Sequence, residues 1–174
     1  MTPDAILSWH DYFLCVATVG ATLAGLLFIA LTISLQHVLS GMGYLSRAFA
    51  ALFLQFESLL VGLFGLVPGQ PVWLLGAELI ATGLAILTGI AVFAHNFRED
   101  RSSVLGSTWP HRLRVALTGI GTLLPAAAGI GLIADLPWSL YLLIPAQIAG
   151  LYLSIGNAWV IAVEIPRRAA QKSA

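Results

Sequence analysis

The sequence predicts an all-α integral membrane protein, a single transmembrane domain over residues 1–174 that forms a bundle of five transmembrane helices. The first observation is composition, since hydrophobic residues make up 59% of the chain and charged residues only 9%, against about 25% charged residues in soluble domains. The second is the presence of five apolar runs of the length that a membrane-crossing helix needs, about 20 residues. The third is a strong asymmetry in the placement of positive charge.

Polar and turn-forming breaks separate the five apolar runs. The predicted spans are Tyr12–Val38, Ala48–Val67, Val72–Phe97, Val115–Ala134 and Trp138–Ile165. The breaks are Ser40-Gly41-Met42-Gly43, Pro68-Gly69-Gln70-Pro71, the polar stretch 98–114 and Asp135-Leu136-Pro137. We expect the first span to remain in the mature protein, because Met1–Asp11 contains two aspartates and no Lys or Arg, unlike a signal peptide.

The positive charges all fall on one side of a five-span arrangement. They are Arg47, Arg98, Arg101, Arg112, Arg114, Arg167, Arg168 and Lys172. The other side carries Asp4, Asp11 and Asp135 and no Lys or Arg. Because Lys and Arg accumulate in short loops on the cytoplasmic side, we expect the N-terminus outside the cytoplasm and the C-terminus inside it. An even number of spans would divide these cations between the two sides.

Each predicted span carries a stripe of small and polar residues three or four positions apart, the spacing that places side chains on one face of a helix. The stripes are Thr18, Thr22, Gly25, Thr32 and Gln36 in span one; Ala51, Gln55, Ser58, Gly62 and Gly65 in span two; Glu78, Thr82, Ala85, Gly89 and Asn96 in span three; Thr118, Thr122, Pro125 and Gly129 in span four; and Ala146, Gly150, Asn157 and Glu164 in span five. Helices in lipid associate through small residues and interhelical hydrogen bonds, so these stripes are expected to face inward. They either pack helices together or line a hydrated cavity, and periodicity does not separate these two interpretations.

Glu57 and Glu78 are the main candidates for chemistry, because ionisable residues inside a membrane are costly and tend to be functional. Glu57 follows Arg47 by ten residues, about 15 Å along a helix, which places it near the midplane. It lies roughly 120° from the Gln55 stripe, at about 100° per residue. Glu57 is therefore expected on a second face of its helix, turned towards another span or a neighbouring subunit.

No Lys or Arg lies within a predicted span to pair with these glutamates, so a buried one is expected to be protonated at neutral pH. Two interpretations remain open for each. The carboxyl group either handles protons or cations, or it is a neutral acid hydrogen-bonded inside the bundle. Gln55 and Asn157 are further transport candidates because they are polar amides within spans two and five.

Two prolines and three histidines are weaker candidates. Pro125 and Pro145 lie near mid-depth in spans four and five, where a proline leaves a backbone carbonyl without its helical hydrogen bond. Either this carbonyl binds an ion or solute, or the proline only kinks the helix. His37, His95 and His111 are expected near the cytoplasmic interface, but their spacing matches no metal or haem signature, and no cofactor is predicted. The chain contains no metalloprotease, nucleophile-elbow or phosphate-loop motif, so no enzyme activity is predicted.

The first span follows Asp11-Tyr12-Phe13, and its centre reads VGATLAGLLFIAL from Val19 to Leu31. This opening resembles a group of small uncharacterised bacterial polytopic membrane proteins that share a Gly/Ala/Thr-rich first helix ending in Gly-Leu-Leu-Phe. The resemblance covers the first span alone. It implies a bacterial cytoplasmic (inner) membrane and assigns no functional residue.

Two functions fit these features. In the first, the chain is a small ion or solute transport or channel protein that acts as an oligomer, with Glu57 or Glu78 in the permeation path. In the second, it is a non-catalytic structural or accessory subunit of a larger membrane complex. The expected partners are the lipid bilayer, further copies or other membrane subunits, and anionic lipid at the 98–114 loop. No nucleic-acid partner is expected.

Overall fold

A computed structural model describes residues 6–35, 42–96, 111–164 and 167, and within these ranges the chain is helical and contains no strand. The helices are α1 (His10–Ile33), α2 (Met42–Gly65), α3 (Val72–Asn96), α4 (His111–Ile133) and α5 (Leu143–Trp159). A 3-10 helix, Pro137–Leu142, precedes α5, and a π-helical segment, Val160–Glu164, follows it. The predicted all-α fold is confirmed.

Five segments of the described chain are long and apolar enough to cross a bilayer. They are His10–Ile33, Ala48–Gly65, Val72–Val92, Ala116–Ile133 and Trp138–Val163. Each overlaps one predicted span, and the predicted breaks at 68–71 and 135–137 separate segments as expected. The other two predicted breaks lie largely outside the described residues, and their described parts are helical, since Met42 and Gly43 belong to α2 and residues 111–114 to α4. The chain is therefore a multi-pass membrane protein whose apolar helices contact lipid.

Successive helices run antiparallel, and close contacts fix their registers. Along the α1–α2 pair, Phe13 lies against Gly65 and Ala17 against Gly62. The bundle therefore has two ends, which we call the Trp9 end, where α1 begins, and the Arg47 end, where α2 begins. The starts of α3 and of the 3-10 helix lie at the Trp9 end, and the start of α4 lies at the Arg47 end.

The larger apolar core lies towards the Trp9 end. Its fully buried members come from all five spans and are Phe13, Val61, Leu75, Leu79, Ala128, Leu132, Leu140 and Leu143. A smaller cluster of Ala48 and Ile161, covered by Leu31 and Val160, joins α1, α2 and the π-helical segment near the Arg47 end. Middle layers of the bundle between these two clusters hold most of the buried polar side chains, and the exceptions are Ser139 towards the Trp9 end and Ser34 towards the Arg47 end.

The small-residue stripes of α2, α4 and α5 face inward as predicted, and they pack helix against helix. A methyl group added to Gly62 would lie 2.5 Å from the backbone nitrogen of Ala17, and one added to Gly76 would lie 2.7 Å from the carbonyl oxygen of Gly129. Gly121 faces Gly150 across the α4–α5 interface. Close backbone approach of this kind is how helices associate in lipid, which favours the packing interpretation for these stripes.

The predicted inward stripe of α1 is wrong. Its described members, Thr18, Thr22, Gly25 and Thr32, are exposed, and the buried face carries Phe13, Val16, Ala17, Gly20 and Leu27 instead. The three threonine hydroxyls donate to the carbonyls of Leu14, Thr18 and Phe28, four residues earlier, at 2.7–2.9 Å. Because each hydroxyl is satisfied within its own helix, it needs no interhelical partner. Gln36 lies outside the described residues.

The stripe predicted for α3 is only partly buried. Thr82 is buried and donates to the carbonyl of Glu78 at 2.8 Å, whereas Ala85 is exposed. Gly83, one position after Thr82, makes the close approach to α4, since a methyl group there would lie 2.6 Å from the carbonyl oxygen of Thr122. The contact face of α3 is therefore rotated slightly from the predicted one. The side chain of Asn96 lies outside the described part of the chain.

Candidate functional site

Helix α2 presents two different buried faces, and each carries a candidate residue. Gln55 and Ser58 belong to the face that meets α1 and α5, while Glu57 lies on the face that meets α3. Gln55 is 1% exposed and Glu57 is 2% exposed, so both are enclosed by protein. Helix geometry places Glu57 and Gln55 on different faces of α2, and both side chains are buried within the chain.

The surroundings of Glu57 follow from the residues one helical turn to either side. Phe53 lies against Gly89 of α3, and Val61 belongs to the apolar core with Leu75 and Leu79 of α3. Glu57 is between them on the same row of α2, because residues four apart share a helix face. Its Oε1 atom is buried and has no hydrogen-bond partner among the described residues. A carboxyl oxygen is therefore buried without a partner near the middle of the apolar segment Ala48–Gly65.

A seam of polar side chains joins α2 to α5 on the other side of α2. The Ser58 hydroxyl donates to the side-chain oxygen of Gln147 at 2.5 Å, and the Ser154 hydroxyl donates to the backbone carbonyl of Ala51 at 3.4 Å. Asn157, a predicted candidate, is buried one turn beyond Ser154. This seam runs through the middle layers of the bundle, parallel to the helix axes.

Sequence reasoning missed Gln147 and Ser154. The positions 147, 150, 154 and 157 follow a spacing of three, four and three residues, which is the helical pattern that identified the other stripes. This spacing is the sequence feature that could have identified Gln147 and Ser154 as buried. The predicted stripe of span five combined Gly150 and Asn157 with Ala146 and Glu164, and the side chain of Glu164 lies outside the described residues.

Gln55 is at the floor of a lateral groove between α1 and α5. The groove has a volume of about 310 Å³, and its other polar lining residue is Ser154. The side-chain oxygen of Gln55 is buried and accepts no hydrogen bond from the described residues. The structure therefore separates Gln55, which lines this groove, from Glu57 on the far side of α2.

Glu78 is a half-buried residue near the Trp9 end and does not pair with Glu57. Its carboxylate accepts a hydrogen bond from the side-chain amide of Gln70 in the α2–α3 loop. The register of Phe53 against Gly89 places Glu57 level with residue 85 of α3, seven residues from Glu78, or about 10 Å along the axis. Glu78 thus has a partner from the loop, which fits a structural role at the end of the bundle.

The two prolines occupy different kinds of position. Pro125 is fully buried inside α4, which continues through it as one helix. Pro145 lies in the first turn of α5, where a backbone N–H has no helical acceptor and its loss costs little. The predicted break in span five is therefore a transition from 3-10 to α-helix at Leu143, and it lies nearer the Trp9 end than mid-depth.

The histidine candidates do not form a site among the described side chains. His95 is exposed near the end of α3, while His37 and the side chain of His111 lie outside the described residues. In the part of the chain that the structure describes, no three His, Cys, Asp or Glu side chains are close enough together to hold a metal ion. The 98–114 loop, the predicted contact for anionic lipid, is largely outside the described ranges.

These features define a multi-pass α-helical membrane protein in which the side-chain oxygens of Gln55 and Glu57, near the middle of the second span, are buried without a hydrogen-bond partner among the described residues. Comparisons with known protein families, with curated proteins and with solved structures give no match for this chain. The function is therefore argued from the geometry of the buried groups.

Proposed function

We propose that this chain is a small ion-transport protein that acts as an oligomer in a bacterial cytoplasmic membrane, and that Glu57 is the group that takes up and releases a proton. The observation that carries the proposal is the buried Oε1 atom of Glu57, which has no hydrogen-bond partner among the described residues. Buried polar atoms in folded proteins are almost always paired, and an exception calls for an explanation. A carboxyl group that must exchange its proton is one such explanation.

The position of Glu57 suits this role. Removing a carboxylate from water favours its neutral form, so the side chain of Glu57 carries no net charge in the low-dielectric region while the proton is bound. Release requires a rearrangement that hydrates or pairs the carboxyl group. Phe53, one helical turn from Glu57, lies against Gly89 of α3, so a small rotation of α2 against α3 would change the surroundings of Glu57.

The oligomeric part of the proposal is supported by the outer face of α1. Only 11% of its membrane segment is buried inside the chain, and the small residues Thr18, Thr22 and Gly25 are exposed there. Small residues allow close approach of a second helix in lipid. The orientation, with the C-terminus in the cytoplasm, is supported by the placement of the Lys and Arg residues in the sequence.

Proton flux into liposomes tests the proposal. The full chain is reconstituted with a pH-sensitive dye inside the vesicles, and a pH gradient is imposed with a potassium ionophore to balance charge. Glu57→Gln keeps the size and polarity of the side chain but cannot exchange a proton, so flux should fall at least about 100-fold, as expected for the loss of a proton-transfer group. Glu78→Gln is the matched control and should conduct at the wild-type rate. Absent wild-type flux, or equal flux through Glu57→Gln, would show that the proposal is wrong.

A second candidate function is a structural subunit of a larger membrane complex. The observation that favours it is the use of the glycine stripes for close helix packing, as at Gly62 and Gly76, which leaves the exposed face of α1 for another subunit. Purification in mild detergent after crosslinking would then yield other membrane proteins in fixed stoichiometry. Purified chain alone would show no proton flux.

A further inference from the structure

The groove between α1 and α5 lies in one half of the membrane-crossing length and follows the helices. Its α1 wall runs from Leu23 to Ala30 and its α5 wall from Ile155 to Ala162, and both walls belong to the halves of these helical segments nearer the Arg47 end. Seven residues correspond to about 10 Å along a helix, and half of the hydrocarbon core is about 15 Å thick. The groove therefore extends over most of the depth of the leaflet at the Arg47 end.

The interior of the groove offers almost no polar surface to an occupant. The two polar residues of its lining, Gln55 and Ser154, are only 1% and 2% exposed, and the Ser154 hydroxyl donates to the carbonyl of Ala51. Leu26 and Trp159 of the lining are each more than half exposed, so the groove opens sideways to the bilayer. A hydrocarbon chain lying parallel to the helices meets these conditions, because it needs no hydrogen bond inside the groove.

Cationic residues follow the α5 wall at the end of the groove where a lipid headgroup would lie. Arg167 is exposed and comes five positions after Ala162. Beyond Glu164, the sequence contains three cationic residues, Arg167, Arg168 and Lys172, and no acidic one. Because each cation near the membrane surface adds to the attraction of an anionic headgroup, this end of the groove favours a lipid with a net negative charge over a zwitterionic one.

We propose that this groove binds one acyl chain of an anionic phospholipid, whose headgroup lies beside Arg167 at the Arg47 end. Two independent features support the choice of lipid, since the apolar walls select a hydrocarbon chain and the cationic residues select the headgroup. The site is separate from Glu57, which lies on a different face of α2 from Gln55, and from the 98–114 loop. The proposal therefore stands or falls independently of proton transport.

Quenching of Trp159 fluorescence by brominated lipid tests the proposal. The full chain is reconstituted in phosphatidylcholine bilayers with increasing amounts of phosphatidylglycerol that carries bromine at the middle of its acyl chains, and the series is repeated with brominated phosphatidylcholine. Because the chain has five tryptophans, the Trp159 signal is obtained by subtracting the signal of Trp159→Phe. Half-maximal quenching should need about tenfold less of the anionic lipid.

Two results of this wild-type comparison would overturn the proposal. Equal amounts of the two lipids at half-maximal quenching would mean that the groove contacts ordinary bilayer lipid without selecting a headgroup. No quenching of Trp159 by either lipid would mean that protein, such as a second copy of the chain, covers the groove.

Variants test the headgroup position and the groove separately. Arg167→Gln removes one exposed cation and should raise the amount of anionic lipid needed about fivefold, and no change would overturn the placement of the headgroup. Ala30→Phe fills the groove from its α1 wall and should abolish the preference for the anionic lipid, so an unchanged preference would overturn the groove as the site. Ala21→Phe is the matched control, because it adds the same ring to the exposed face of α1 outside the groove, and it should behave as wild type does. The wild-type comparison and Arg167→Gln keep the test decisive if Ala30→Phe does not fold.

Discussion

At the residue scale, the polar side chains of this protein divide into those satisfied by their own helix and those that depend on the tertiary fold. Thr18 and Thr22 donate to carbonyls four residues earlier and lie on the exposed face of α1, whereas Ser58 bonds across the bundle to Gln147. The same residue classes therefore occur on both faces of a membrane helix. For this reason, the threonines of span one did not indicate its buried face, whereas the amide side chains of Gln55 and Asn157 are buried.

The bond between Ser58 and Gln147 gives a prediction at this scale. Ser58→Ala leaves the buried oxygen of Gln147 without its donor, and Gln147→Met replaces that side chain by an apolar one of similar length. In a double-mutant cycle, the coupling energy should be about 0.6 kcal/mol and not above about 1.7 kcal/mol, the range found for hydrogen bonds between membrane helices. The free energy of unfolding in mixed micelles with added SDS measures it. A coupling energy of zero would mean that the contact contributes nothing to stability.

At the scale of the helix, glycines decide which faces pack. Gly62 lies against the backbone of Ala17, whereas Gly25 on the outer face of α1 has no atom within 4 Å of the position of an added methyl group. Both residues belong to stripes that the sequence shows equally well. They differ in whether another helix of the chain packs against them, and that depends on how all five spans assemble.

Alanine substitutions at these two glycines should therefore have opposite consequences. Gly62→Ala forces α1 and α2 apart and should destabilise the chain by about 1–3 kcal/mol, the usual cost of overpacking a close contact. Gly25→Ala introduces the same methyl group without a clash and should be neutral or slightly stabilising, since alanine is the better helix former. SDS-induced unfolding of the monomer compares them. If both variants lose stability equally, the inferred register of α1 on α2 is wrong.

At the scale of the whole molecule, composition and span length predicted the architecture well, because a bilayer allows few alternatives for an apolar chain. The odd number of spans and the breaks at residues 68–71 and 135–137 followed from the sequence. The lateral groove did not, since it lies between α1 and α5, two helices that are distant in the sequence. Such a gap depends on helix angles, which no local pattern encodes.

The orientation of the bundle gives the last prediction. Cysteine labelling measures it in a Cys15→Ala background, because Cys15 is the only cysteine in the chain. Val67 is exposed in the α2–α3 loop at the Trp9 end, so Val67→Cys should react with a membrane-impermeant maleimide in intact bacterial cells. Ser173→Cys should react only after the membrane is permeabilised, since moving the neighbouring cations across the bilayer would be costly. The reverse pattern would invert the topology, and labelling of both positions from outside would contradict an odd number of spans.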